Sequence, residues 1–466
     1  VSATLLIRHP PGYEPERRYI CDVIFREFLG LDYDSSSEDR SDVEITVADG
    51  SSPSRIVLAD TLFQTPADEW LSAASLPSRP LPRLALAATA VEAVTVSDSL
   101  PVIYGSPLPD GSFLCEREGE IELGLDVLGS AFFMLSRYEE LVSAVRDEYD
   151  RFPAAASLAQ SEGFLDRPIV NEYLEILRWA LSRLWPRLPR AKHEFRLRLS
   201  HDVDFPLFRI GREESFRLAL RALRREHAPW LATRRLLGSL GLRSRSPERD
   251  LYNSFAYIMD ADERAGTRSA FNFITAQTAG AIDGSYSVDD PWIRGLLRSL
   301  HERGHEIGLH PSYRTFRDGE QTLREFQALR RACEEEDIDQ PAFGGRQHYL
   351  RWENPITWQN WEDAGLAYDS TLSFADRAGF RCGVCFEYPV FNLRTRRSLK
   401  LRESPLIAMD ASLLEYHRLS LEQATAQLLE LKRRCRLFEG EFTLLWHNDR
   451  LLSRRARKAY ELTLLG

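Results

Sequence analysis

No run of 18 or more apolar residues occurs in the sequence, so no membrane-spanning helix is expected. Six cysteines scattered over 466 residues are too few for a disulfide framework. Only Cys382 and Cys385 lie close together, in RCGVC. A single C-x-x-C without a second pair reads as two small apolar side chains in a turn. Positive charge is in deficit: 60 Lys and Arg against 70 Asp and Glu leave a net charge of −10. That balance argues against nucleic acid or an anionic membrane as the main partner. The opening VSATLLIRHPPG lacks the long apolar core of a secretory signal, and a reduced, cytoplasmic protein is the expectation. Internal repeats and low-complexity tails are also missing.

What is present is ordinary globular material, 43% apolar and 28% charged, in a chain long enough for more than one domain. Residues 1–150 read as a smaller α/β domain of unassigned role. RRYICDVIFREFLGL has helical apolar spacing, DVEITVAD and SRIVLAD read as strands, and LDVLGSAFFMLSRYEELVSAV is a helix buried on a wide face. Residues 151–193 read as a helical linker built on RPIVNEYLEILRWALSRLW. From residue 194 to 466, strands and helices alternate. FRLRLSHDVD, AFNFIT, HEIGLH, PAFGGRQHY and FTLLWH are the strands. The helices between them carry start and stop signals: Asp290-Pro291 and Gly304 around one, Asn354-Pro355 and Gly365 around another, and a Ser420–Gln423 capping box on a third, which is expected to run through Arg434. This alternation implies a parallel sheet closed, or nearly closed, into a barrel.

The polar residues that stand out end these strands, where barrel enzymes place their chemistry. Side chains alternate along a strand, so Asp202 and Asp204 share one face of FRLRLSHDVD and His201 takes the other. A pair of capping aspartates on the following loop is the plainer alternative. In GHEIGLHPSYRT, the same alternation separates His305 from His310 and makes His310 the ligand candidate. An i, i+4 histidine partner for His310 is missing, because that position is Arg314, which has no lone pair to offer a cation. Arg346, His348 and Tyr349 follow the Gly344-Gly345 pair, and His447 ends the last strand.

Taken together, SHDVD, GHEIG leading to His310, RQHY and LLWH resemble the ordered motifs of the polysaccharide deacetylase family, the NodB-homology fold of carbohydrate esterase family 4. The resemblance covers about residues 194–466 and implies a distorted, seven-stranded (β/α) barrel. It makes Asp202 a catalytic base, Asp204 and His310 metal ligands, Arg346 the partner of Asp202, Tyr349 a backbone oxyanion donor and His447 the general acid. Asp410, in PLIAMD, is assigned as the carboxylate that tunes His447. Two departures fall close together: Arg314 replaces the second metal histidine, and His348 replaces the motif proline. His348 is therefore expected to complete the metal site with Asp204 and His310.

The expected activity is metal-dependent hydrolysis of N- or O-acetyl groups on a polysaccharide or oligosaccharide, with a divalent ion, Zn2+, as cofactor. The expected partner is an acetylated carbohydrate. Two alternatives stand beside it: an amidohydrolase of the same fold acting on a small non-sugar amide, and a metal-free glycan-binding or scaffold protein.

Overall fold

The structure, a computed structural model, describes residues 4–48, 54–89, 91–208, 212–224, 229–239 and 246–466. Val1–Ala3 of the opening segment and Asp49, the last residue of DVEITVAD, lie outside them. The protein is a mixed α/β structure with several sheets. In the first half the strands are β1 (Leu5–His9), β2 (Tyr33–Ser37), β3 (Asp42–Val47), β4 (Arg55–Ala59), β5 (Arg83–Ala85), β6 (Ser99–Pro101), β7 (Leu114–Arg117) and β8 (Glu120–Leu123). Six of them form one sheet in the order β2-β1-β3-β4-β8-β7, and β5 pairs with β6 separately. β1 and β3 alternate buried with half-buried positions, as their sequences predict for a sheet covered on one face.

The second half contributes β9 (Arg196–Val203), β10 (Ala270–Phe273), β11 (Glu306–Leu309), β12 (Gly344–Gly345), β13 (Tyr368–Asp369), β14 (Tyr388–Asn392), β15 (Arg397–Glu403), β16 (Ala408–Met409) and β17 (Glu441–Leu445). Their order is β14-β15-β13-β12-β11-β10-β9-β17-β16. Every ladder is parallel except β14 with β15. The parallel sheet expected from the alternation is therefore present, but with nine strands rather than seven. The hairpin partner β14 caps one end, and among the described residues no ladder joins β14 to β16.

The Ser420–Gln423 capping box is formed, and its helix runs Leu421–Leu437, three residues beyond the expected end. The helix Pro291–Glu302 begins at its proline, although the Asp290 side chain makes no capping bond. Asn354 is a correction. Its amide donates instead to the carbonyls of Ser136 (2.9 Å) and Arg137 (2.8 Å), and the helix Ile356–Ala364 starts after Pro355. Cys382 and Cys385 are buried free thiols.

The segment expected as a linker holds the helix Ile169–Leu184, which is buried along one face. Its Tyr173 hydroxyl donates to the Pro101 carbonyl at 2.6 Å and accepts from the Ile103 N–H. The two halves share one continuous apolar core. Across it, Arg381 grips Glu140 with two bonds of 2.9 and 2.5 Å, and Arg137 bonds the same carboxylate. Burial pushes Glu140 up, but Arg381 and then Arg137 outweigh it and hold the carboxyl below its usual range.

Removing one partner of a buried ion pair strands the other charge, at a cost of about 3–5 kcal/mol. Arg381→Ala is therefore expected to lower stability by that order, read by chemical denaturation followed at both far-UV ellipticity and tryptophan fluorescence. A loss below about 1 kcal/mol would mean that the bridge between the halves is dispensable.

Candidate metal and hydrolytic site

β9 carries the site because both sides of its C-terminal half are buried. Leu199, His201 and Val203 face one way, where His201 lies between the Trp446 carbonyl (2.6 Å) and Asp262 (3.1 Å). Ser200 and Asp202 face the other, and Asp204 follows one residue past the strand. In the adjacent ladder Asn272 stands level with Asp202 and donates to its Oδ1 at 2.7 Å. Gly308 of β11 is opposite Asn272, and a Cβ there would lie 2.0 Å from the Asn272 side-chain oxygen. The glycine in GHEIG thus makes room for the amide that holds Asp202.

Arg346 is fully buried and makes four hydrogen bonds. Nη1 donates to Asp202 Oδ1 (2.9 Å), Nη2 to the hydroxyls of Ser200 (2.9 Å) and Ser370 (2.7 Å), and Nε to the Ser370 carbonyl (2.8 Å). Burial pushes the Asp202 carboxyl up, yet Arg346, with His310 and His447, outweighs it and leaves its pKa below the ordinary value.

Asp204, His310 and His348 each offer one ligand atom, all within 4.8 Å of one another. Asp204 Oδ1 is 3.2 Å from His310 Nε2 and 3.7 Å from His348 Nε2. The other ring nitrogens are committed: His310 Nδ1 donates to the Arg346 carbonyl (2.5 Å), and His348 Nδ1 bonds Asp283 (3.0 Å). Asp283 is itself fixed by the N–H groups of Ala279 and Tyr313. Such outer partners orient imidazoles for metal ligation. Asp204 Oδ1 is buried and accepts no hydrogen bond, an unfilled acceptor between two Nε2 atoms. Two imidazoles and a carboxylate match the donor set of a catalytic zinc site. Burial raises the Asp204 carboxyl, but His348, His310 and His447 drive it well below its usual range. His310 moves the opposite way: burial lowers it, and Asp202 and Asp204 more than restore it. The two shifts are the two sides of one attraction between carboxylate and imidazole. Arg314 is exposed, and its N–H donates to the Thr278 hydroxyl.

His447 lies on the other side of Asp204, with Nε2 3.8 Å from Oδ2. Asp410 bonds His447 Nδ1 at 2.7 Å and accepts the His447 N–H at 3.1 Å. Burial lowers the imidazole, but Asp410, joined by Asp204 and Asp202, pushes it up to about 10. Tyr349 adopts left-handed backbone angles (φ 61°), and its ring packs near His348, Tyr313 and Tyr149. Its carbonyl accepts from Arg151 Nη1 at 3.0 Å. Arg151 in turn spans Tyr149 and Tyr416, with its guanidinium carbon 4.7 and 5.6 Å from their ring centres.

All eight residues singled out in the sequence, Asp202, Asp204, His310, Arg346, His348, Tyr349, Asp410 and His447, thus lie in one neighbourhood. The sequence reading missed Asn272, Asp283, Tyr149 and Arg151. None of the four sits in a motif, and Arg151 reaches Tyr349 across 198 residues. Only Asn272, on an otherwise apolar strand AFNF, left a trace: a buried amide demands a partner.

A family model described as a family of unknown function, DUF7033, matches residues 5–186. No curated protein matches the chain. Among solved structures, similarity extends to a protein assigned to the polysaccharide deacetylases from Mycobacterium smegmatis. The two are 16% identical, over 60% of this chain and 84% of that one, with a TM-score of 0.37. A second, assigned likewise, from Pseudomonas aeruginosa PAO1 is 13% identical, over 59% and 87%, with a TM-score of 0.34. Puue allantoinase is 11% identical, over 58% and 86%, also at 0.34. Likenesses this faint carry no weight for the activity, which has to rest on the site.

A histidine whose pKa is raised on folding stabilises the fold fully below its unfolded value, and the benefit is lost as pH rises through the folded one. In chelator-treated protein, the stability margin of the wild type over Asp410→Asn is therefore expected to be widest below about pH 6.5 and to fade toward pH about 10. Urea titrations at a series of pH values measure it, and a margin independent of pH would reject the pairing.

Proposed function

We propose that the protein is a metal-dependent hydrolase that removes acetyl groups from a carbohydrate. Residues 194–466 form the catalytic unit, and residues 1–150 with the helical segment 151–193 form its support. The observation that carries this reading is the buried, unfilled Asp204 oxygen facing His310 and His348 beside an Arg346-bound Asp202. Asp204, His310 and His348 would hold the ion. When bound, a divalent ion such as Zn2+ supplies Lewis acidity to a carbonyl and lowers the pKa of water.

The chain's own residues then have distinct tasks. Asp202, kept ionised by Arg346, takes a proton from the water that attacks the acetyl carbonyl carbon. Arg346 donates to one carboxylate oxygen only, so the other stays available. The Tyr349 N–H, on its left-handed turn, donates to the developing oxyanion. As the carbon–nitrogen or carbon–oxygen bond breaks, His447, protonated through Asp410, gives its proton to the leaving amine or alcohol. Acetate is the other product. Tyr149, Tyr313, Tyr349 and Tyr416 near the site offer amphipathic faces suited to sugar rings, which favours a glycan over a small amide.

Elemental analysis and acetate release from acetylated oligosaccharides test the roles separately. Asp204→Asn and His348→Ala are expected to weaken metal binding by roughly tenfold or more. Asp202→Asn is expected to keep its metal and lose roughly 10²–10⁴ in kcat. Full metal affinity in His348→Ala would remove it from the ligand set. Wild-type protein that takes up no divalent ion would return the chain to the glycan-binding alternative.

A further inference from the structure

Residues 205–250, directly after Asp204, contain two helices that the proposed chemistry does not use, Arg212–Arg224 and Pro229–Ser239. They pack on each other through buried Ala219, Ala222, Leu231 and Ala232, and Arg235 ties them by donating to the Leu218 carbonyl at 2.9 Å. A second set of apolar side chains faces outward: Phe216 (61% exposed), Leu220, Leu223 (48%), Trp230 (44%) and Leu237. Phe216, Leu220 and Leu223 recur at i, i+4 and i+7, so they form one stripe, beside the buried stripe of Ser215, Ala219 and Ala222. Five of the thirteen exposed large apolar side chains among the described residues lie on this pair of helices, which makes the clustering more than scattered surface apolarity.

The charge of the same segment is opposite to that of the protein. Residues 205–250 carry eleven arginines against five carboxylates, in a chain whose net charge is −10. Helices of 13 and 11 residues are about 20 and 17 Å long, too short to span a bilayer of about 30 Å, but suited to lying in its surface. Apolar Trp, Phe and Leu beside a surplus of arginine is the pattern of an interfacial helix on anionic lipid. A second copy of the chain meeting hairpin to hairpin would set like charge against like.

We propose that this helical pair is a peripheral docking surface for an anionic lipid bilayer, whatever the neighbouring site hydrolyses. Phe216, Leu220, Leu223 and Trp230 enter the interfacial layer, and the exposed Arg217 and Arg224 meet the lipid headgroups. The helices are anchored at the rim of the site. Asn448, next to His447, donates to the carbonyls of Phe205 and Tyr252 at 3.0 Å each, at the two feet of the segment. Docking would therefore bring the rim itself to the membrane.

Flotation of the full chain with phosphatidylcholine vesicles, with and without phosphatidylglycerol, tests this. Binding is expected to the anionic vesicles, weaker by roughly tenfold or more on phosphatidylcholine alone and falling with added salt. Phe216→Ser combined with Trp230→Ser, and separately Arg217→Glu combined with Arg224→Glu, should each reduce it by a similar factor while the circular dichroism spectrum stays wild-type. The charge variants retain every apolar side chain and serve if the serine variants melt early. Wild-type protein that ignores both vesicle types, or variants that bind undiminished, would overturn the proposal. So would a wild-type dimer in sedimentation that the serine variants convert to monomer, since a second copy would then cover the face.

Discussion

Two carboxylates, Asp202 and Asp204, lie side by side at the end of β9, the first buried and the second partly so, and much around them answers that repulsion. Burial favours protonating both, yet both sit below their ordinary pKa range because cationic groups surround them. Arg346 neutralises Asp202 and is locked by Ser200 and Ser370, so it cannot turn toward Asp204. Asp204 is left to the three imidazoles, and their outer nitrogens are each fixed by a carbonyl or carboxylate. The result is a division of labour between neighbours of identical chemistry: Asp202 Oδ1 is held by a guanidinium and an amide, while Asp204 Oδ1 is left as an acceptor without a donor.

The first half of the chain takes part in this arrangement as a brace. Arg381 and Arg137 share the Glu140 carboxylate across the junction, while Asn354 spends its amide on the Ser136 and Arg137 carbonyls. Arg151 reaches the Tyr349 carbonyl and steadies the left-handed turn that follows His348. A position of that kind costs of order 1–3 kcal/mol and persists where its surroundings hold it. Arg151 thus carries one contact of the first half directly to the backbone of the site.

What was legible in the chain depended on whether the deciding interaction is local. Strand alternation separated Asp202 from His201 and His310 from His305, because the period of two is a property of the backbone itself. The Ser420 capping box formed because both its partners lie within three residues of each other in the chain. Asn354 failed as a cap because two carbonyls from the other half fix its amide nitrogen, in an orientation that leaves its Oδ1 without a donor. The strand count failed because β16 is only two residues long, too short to read, and β14 joins β15 through an antiparallel hairpin outside the alternation. Net charge over the whole chain also averages out local composition, since eleven arginines fall within residues 205–250.

From sequence alone came the residue types at strand ends and their faces. Those follow from covalent spacing and a short period, which need no knowledge of the rest of the chain. Only the tertiary structure decided that Asp410 meets His447 over 37 residues, that Asp283 aims His348 over 65, and that Arg151 holds Tyr349 over 198. Such pairings depend on how strands order in a sheet and which loops cross its rim, and no local periodicity encodes that order.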